Sequence, residues 1–90
     1  MKWKLFADLA EAAGTKEAEV VVEPGATVGE ALDALVADHP DLRERVLDDS
    51  ELRDHVNLLR NGTNVHNEEG LETELAGGDE LALFPPVSGG

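Results

Sequence analysis

The sequence predicts an α+β domain in which one amphipathic helix crosses a mixed β-sheet of four to five strands. Two observations indicate this: an apolar helical stripe in residues 28–36, and short segments of alternating apolar residues before and after it. Ninety residues suit a single domain with one modest core, because folding at this length buries only about 60–65% of the unfolded surface. The sequence contains no internal repeat and gives no sign of a second domain.

The start of the main helix is the strongest local signal. Thr27 and Glu30 have the spacing of a capping box, in which each side chain accepts a hydrogen bond from the other residue's backbone N–H. The apolar positions that follow at i, i+3, i+4, i+7 and i+8 are Val28, Ala31, Leu32, Leu35 and Val36. His39-Pro40 should end the helix, and a shorter helix is expected from Pro40 to Leu47.

Strands are predicted on both sides of this helix. Segments 2–7 and 17–23 alternate and should form a hairpin, with a helical turn at Asp8–Ala13 between them that Gly14 ends. Later strands are expected at 56–60, at 63–66 and at 80–84, with turns at 61–62 and 77–79 and a polar connection over 48–54.

The composition is strongly acidic, with 20 Asp and Glu against 7 Lys and Arg and a net charge of −13. Nucleic acid is not an expected partner, because binding to phosphates requires clustered cations. The charge indicates either a surface suited to concentrated salt or a docking face for a basic partner. The small number of lysines, Lys2, Lys4 and Lys16, favours the first explanation.

Several site classes are not expected. The chain has no cysteine, which excludes disulfides and thiolate sites, and His39, His55 and His66 are too scattered for a recognisable metal site. No apolar run approaches the ~20 residues of a membrane span, and no signal peptide is evident. We expect a soluble, cytoplasmic monomer that binds no cofactor and has no catalytic residues of its own.

The C-terminal segment is the best indication of function. It reads Phe84-Pro85-Pro86-Val87-Ser88-Gly89-Gly90. The two prolines fix two φ angles and remove two donors, so we expect residues 1–84 to form the domain and 85–90 to leave it as a flexible, extended tail. Without side chains, Gly89 and Gly90 can enter a narrow enzyme site and present the Gly90 carboxylate, although a frayed terminus is also consistent with two glycines.

A family resemblance sharpens this interpretation. The element order, Lys4-Leu5-Phe6-Ala7, Gly77-Gly78-Asp79-Glu80 and the tail resemble the MoaD/ThiS branch of the ubiquitin-like β-grasp proteins over essentially the whole chain. Within that branch the acidic composition is most similar to the small archaeal modifier proteins of haloarchaea. The resemblance implies a ubiquitin-like β-grasp fold and a protein that is the substrate of an E1-like enzyme, which uses ATP to adenylate Gly90.

The resemblance also implies two fates for the activated glycine. Attack by sulfur gives a thiocarboxylate that donates sulfur in molybdopterin synthesis or tRNA thiolation, whereas attack by a target-protein lysine gives an isopeptide bond that an isopeptidase can cleave. The sequence does not separate these outcomes, nor does it indicate whether one of its lysines accepts a second copy. A non-conjugating module stays possible, such as a small subunit that inserts its tail into a MoaE-like partner without being activated.

Strand alternation predicts a partner-binding patch beside the tail. With Leu81 and Leu83 as the core pair, Phe84 lies on the outer face of the sheet, as Phe6 does in the first strand. The first and last strands are neighbours in a β-grasp sheet, which would bring the two rings together, and Leu59 would join them on that face. Exposed apolar patches of this kind usually mark interaction sites.

Overall fold

The computed structural model describes residues 1–49, 51–53 and 56–85. Among these residues, the main sheet has five strands: β1 (Lys2–Leu5), β2 (Glu17–Glu19), β5 (Asn57–Arg60), β6 (Thr63–Asn64) and β7 (Glu80–Phe84). A separate two-stranded arm consists of β3 (Leu47–Asp48) and β4 (Glu51–Leu52). The helices are α1 (Asp8–Ala13), α2 (Val28–Asp38) and α3 (Arg43–Val46), with 3₁₀ turns at Pro40–Leu42, Val65–Asn67 and Gly70–Glu72.

The main sheet is mixed, as predicted, and its strand order is β2-β1-β7-β5-β6. β7 lies at the centre, parallel to β1 and antiparallel to β5. The outer pairs, β1 with β2 and β5 with β6, are antiparallel. Within the described residues, no helix is long and apolar enough to cross a membrane.

The core lies between α2 and one face of this sheet. All five residues of the predicted helical stripe are buried, as are the strand residues Trp3, Leu5, Leu58, Leu81 and Leu83. Each buried Val or Leu side chain among them contributes about 1.5–3 kcal/mol through removal from water. The predicted capping box is confirmed: the Glu30 N–H donates to Thr27 Oγ1 at 3.2 Å, and the Thr27 N–H donates to Glu30 Oε1 at 3.3 Å.

The first two strands are shorter than predicted. β1 ends at Leu5 rather than at residue 7, because Ala7 adopts a φ of 54° and the chain turns directly into α1. β2 ends at Glu19 rather than at Glu23, because Met1 and Val20 exchange the last hydrogen bonds of the hairpin. The predicted helical turn at 8–13 and its stop at Gly14 are confirmed.

Three later segments also differ from the prediction. The expected helix over 40–47 is a 3₁₀ turn followed by α3, although its inward pair, Leu42 and Val46, is fully buried. The expected polar connection over 48–54 contains the β3–β4 arm, which doubles back through Asp49 at a φ of 60°. Aspartate tolerates this left-handed conformation better than most residues. Of segment 63–66 only β6 pairs, since Val65 begins a 3₁₀ turn.

Candidate functional site

The position of β7 determines where the C-terminal segment leaves the domain. β1 and β7 are parallel, with Leu5 paired to Leu83, so both strands end at the same edge of the sheet. β5 begins at that edge, with Asn57 paired to Phe84. Pro85 follows β7 without an N–H to donate to a ladder. Pro85, the last described residue, therefore lies at the middle of the sheet, between the end of β1 and the start of β5.

The reactive part of the predicted tail is not described. Pro86, Val87, Ser88, Gly89 and Gly90 lie outside the described residues, so their roles stay predictions. The same holds for the proposed boundary between a domain at 1–84 and a tail at 85–90.

The two phenylalanines stack beside the exit point. Their ring centroids are 4.2 Å apart and their planes lie 8° from parallel. Phe6 is 38% exposed and Phe84 is half-buried, while Leu81 and Leu83 of the same strand are fully buried. The predicted meeting of Phe6 and Phe84 on the outer face is therefore confirmed, and their role in partner binding stays a prediction.

Leu59 extends the apolar surface on the same face. It is half-buried and lies opposite Ala82, one outward-facing row from the pair formed by Asn57 and Phe84. We call Phe6, Leu59 and Phe84 the outer aromatic patch. Its β5 side is bordered by polar groups, since Asn64 Nδ2 donates to Asn57 Oδ1 at 3.1 Å.

Two ion pairs also lie on the outer face of the sheet. They were not predicted from the sequence. Lys2 Nζ lies 2.9 Å from Glu17 Oε2, and Lys4 Nζ lies 3.2 Å from Glu80 Oε1. The hydrogen bond that the Lys2 ammonium donates to the Glu17 carboxylate raises the pKa of Lys2 and lowers the pKa of Glu17. The sequence pattern that could have predicted these ion pairs is strand alternation. It places Lys2 and Lys4 on the outer face, and it places glutamates on the same face of the neighbouring strands.

At the opposite end of the sheet, Asp79 ties two turns together. Asn61 Nδ2 donates to Asp79 Oδ1 at 2.8 Å, while the Ala76 N–H and Arg60 Nη1 donate to Asp79 Oδ2 at 2.8 and 3.1 Å. These bonds, led by the one from Ala76, lower the pKa of Asp79. The network is remote from Pro85 and stabilises the turns rather than forming a reactive site.

Several ionisable side chains of the described residues take part in surface ion pairs and turn networks. Among the described residues no three His, Asp or Glu side chains come together as a metal site, and His55 lies outside that part of the chain. The shifted pKa values belong to ion pairs and hydrogen-bonded carboxylates on the surface and at the turns. The outer aromatic patch is therefore the candidate site in the described part of the chain.

Comparisons with known proteins agree with this arrangement. Residues 3–90 match the model of the ThiS family. Small archaeal modifier protein 1 of Haloferax volcanii is 60% identical over 100% of both chains, and its crystal structure matches this chain with a TM-score of 0.89 over 100% of this chain and 98% of its own. A chain in the crystal structure of the Amycolatopsis orientalis BexX/CysO complex is 30% identical, with a TM-score of 0.85 over 99% of this chain and 98% of that one. Sulfur carrier protein CysO of Mycobacterium tuberculosis is 35% identical, covering 73% of this chain and 74% of its own.

Proposed function

Because the chain belongs to the ThiS family, we propose that it acts as a ubiquitin-like protein modifier and sulfur carrier through the carboxylate of Gly90. In this role it is a substrate of an E1-like adenylating enzyme rather than an enzyme itself. ATP is bound and consumed by that partner.

Activation converts an unreactive carboxylate into an electrophile. A carboxylate oxygen of Gly90 attacks the α-phosphorus of ATP, the bond from that phosphorus to the bridging oxygen of pyrophosphate breaks, and an acyl-adenylate forms. AMP is then a good leaving group from the Gly90 carbonyl carbon. Because Gly90 has no side chain, a narrow active site can enclose this carbon.

Two nucleophiles can displace AMP. A sulfide donor forms a C–S bond and gives the thiocarboxylate, which can pass sulfur on in molybdopterin synthesis, together with a MoaE-like subunit, or in tRNA thiolation. A lysine amine of a target protein forms a C–N bond, loses a proton and gives an isopeptide, which an isopeptidase can hydrolyse. Both reactions use the same activated carbon.

The observation that best supports this proposal is the exit of the chain from β7 beside an exposed aromatic ring. β7 is paired on both sides, its last residue Phe84 lies opposite Asn57 of β5, and the ring of Phe6 lies against Phe84. An activating enzyme can dock on the outer aromatic patch and receive the residues beyond Pro85 in the same encounter. Aromatic side chains with partial exposure are typical anchors of such contacts.

Matched glycine variants test the proposal. Gly90→Ala keeps the carboxylate but branches its α-carbon, and a second variant lacks Gly89 and Gly90. Gly77→Ala is the control, because a Cβ at Gly77 meets no atom within 4 Å. With an E1-like enzyme and ATP, we expect ATP–pyrophosphate exchange for the unaltered protein and Gly77→Ala, and its loss for both tail variants. Adduct formation by the shortened protein would contradict activation at Gly90.

The same variants distinguish the proposed function from the alternative, a non-conjugating subunit whose tail is never activated. In that case the unaltered protein gives no exchange, and removal of Gly89 and Gly90 instead weakens its binding to a MoaE-like partner. Circular dichroism of each variant checks that the domain still folds.

A further inference from the structure

We propose that the free edge of β2 binds an extended segment of a partner protein, in which an apolar residue is flanked by basic residues. β2 is the edge strand of the sheet, separated from β7 by β1. The proposed site is therefore distinct from the outer aromatic patch and does not depend on the chemistry of Gly90.

The hydrogen-bonding pattern leaves backbone groups open at this edge. Val20 donates to the Met1 carbonyl at 2.9 Å, and the Met1 amine donates to the Val20 carbonyl at 2.8 Å. In an antiparallel ladder the residues beside such a pair direct their N–H and C=O groups away from that partner strand. This alternation directs the backbone groups of Glu19 away from β1. Neither Glu19 nor Val21, which lies two residues beyond the end of β2, has a backbone hydrogen bond to another described residue.

The start of the same edge is already closed. Thr15 Oγ1 donates to the Glu17 carbonyl at 2.8 Å and accepts from the Glu17 N–H at 3.3 Å. A single side chain thus satisfies both outward groups of Glu17. The open edge is confined to Glu19 and Val21, which is long enough for a short added strand.

Val21 gives this edge an apolar contact point. Its side chain is 97% exposed, while its neighbour Val20 is 4% exposed. Natural proteins usually protect free edges with charges, prolines or short strands, rather than with an exposed β-branched residue. A strand added along the edge would cover Val21 and complete the outward hydrogen bonds, as in other cases of strand addition.

The negative charge around Val21 favours a basic partner segment over a second copy of the chain. Glu19 and Glu23, both exposed, lie two residues before and after Val21, and Glu19 stays 78% exposed despite the N-terminal amine at 3.7 Å. Edge-to-edge pairing of two copies would bring these glutamates close together between molecules that each have a net charge of −13. A segment with basic residues on both sides of an apolar one complements the same surface.

Defined peptides test this site. The probe is the seven-residue peptide Thr-Lys-Thr-Val-Thr-Lys-Thr, whose valine and two lysines share one face of an extended strand, as Val21 does with Glu19 and Glu23. One control peptide has glutamate in place of lysine, and another is N-methylated on alternate backbone nitrogens. In ¹⁵N–¹H NMR titrations we expect the lysine peptide to shift the amides of Glu19 and Val21 and both controls to bind at least about tenfold more weakly. Equal binding of either control peptide, or shifts confined to residues around Phe6 and Phe84, would overturn the proposal.

A pair of variants adds a second criterion. Val21→Ser should weaken binding of the lysine peptide about tenfold, since it removes the apolar contact without adding a charge that attracts lysine. Because Val21 is almost fully exposed, this variant should keep the NMR dispersion of the folded protein. Phe6→Ala, which alters the outer aromatic patch, should bind the peptide as the unaltered protein does. Unchanged affinity in Val21→Ser, or a dimer through this edge in the peptide-free protein, would contradict the assignment.

Discussion

The rings of Phe6 and Phe84 stack with their centroids 4.2 Å apart, which joins the residue after β1 to the last residue of β7. The contact fixes an aromatic surface at the point where the chain leaves the sheet. One face of the stack stays accessible, since Phe6 is 38% exposed. We propose this surface as the contact for the activating enzyme.

Phe6→Ala should impair activation more than folding. The partly exposed stack contributes about 0.5–1.5 kcal/mol, so the free energy of unfolding should fall by about 1 kcal/mol. In ATP–pyrophosphate exchange the KM for this protein should rise about tenfold, because the activating enzyme loses an aromatic anchor. Gly77→Ala, at the opposite end of the sheet, is the control and should leave KM unchanged. An unaltered KM in Phe6→Ala would exclude the patch from docking.

Lys16 should react with a limiting amount of an acylating reagent before Lys2 does. Lys16 is exposed and takes part in no ion pair among the described residues, whereas Glu17 raises the pKa of Lys2 and so lowers its fraction of free amine. Peptide mass spectrometry after brief labelling measures both rates. Glu17→Gln should accelerate labelling at Lys2 and leave Lys16 little changed. Equal acceleration at both sites would indicate a global opening instead.

Asp79 should make stability depend on pH in the acid range. Its pKa is lowered in the folded protein, so its contribution is present above the pKa of the unfolded chain, about 3.9, and is lost as pH falls through the lower folded value. Asp79→Asn should cost about 2 kcal/mol at pH 7, where charged hydrogen bonds are removed, and less at pH 2. Urea unfolding at both pH values measures this. Asp33→Asn, at an exposed position on α2, is the control and should show no comparable loss.

Potassium chloride should stabilise the domain if its charge reflects adaptation to concentrated salt. With a net charge of −13, self-repulsion is largely screened at 1 M salt, where the Debye length is about 3 Å. We expect Tm to rise by roughly 5 °C between 0.1 and 2 M KCl, which corresponds to about 1 kcal/mol. Sucrose is a non-ionic control for general solute effects. A domain equally stable in dilute buffer would leave a basic docking partner as the explanation of the charge.

Much of the fold was predictable because local and tertiary preferences agree. The stripe from Val28 to Val36, the capping box at Thr27 and the turn at Asn61-Gly62 specify local structure, and the structure confirms each of them. The ubiquitin-like β-grasp fold and the likeness to the small archaeal modifier proteins, both expected from the resemblance, are confirmed as well.

The positions at which strands end could not be predicted, because they depend on the neighbouring strand with which each one pairs. The alternation in 17–23 continues past Glu19, but the pairing stops at Val20 because its partner in the hairpin is Met1. The β3–β4 arm was missed because its two strands have only two residues each. For the site, alternation was enough to place Phe6 and Phe84, whereas the ion pairs of Lys2 and Lys4 depend on the neighbours of β1.

The central claim is that the carboxylate of Gly90 is the group that reacts, and intact-mass spectrometry of the protein from its native cell tests it most directly. We expect a fraction of molecules in which one oxygen of the C-terminal carboxylate is replaced by sulfur. In cells that produce the variant Ser88→Arg, trypsin cleaves after residue 88, and we expect it to leave Gly-Gly remnants on lysines of other proteins. A protein that shows neither mark, under growth conditions in which its E1-like enzyme is present and active, would contradict the account.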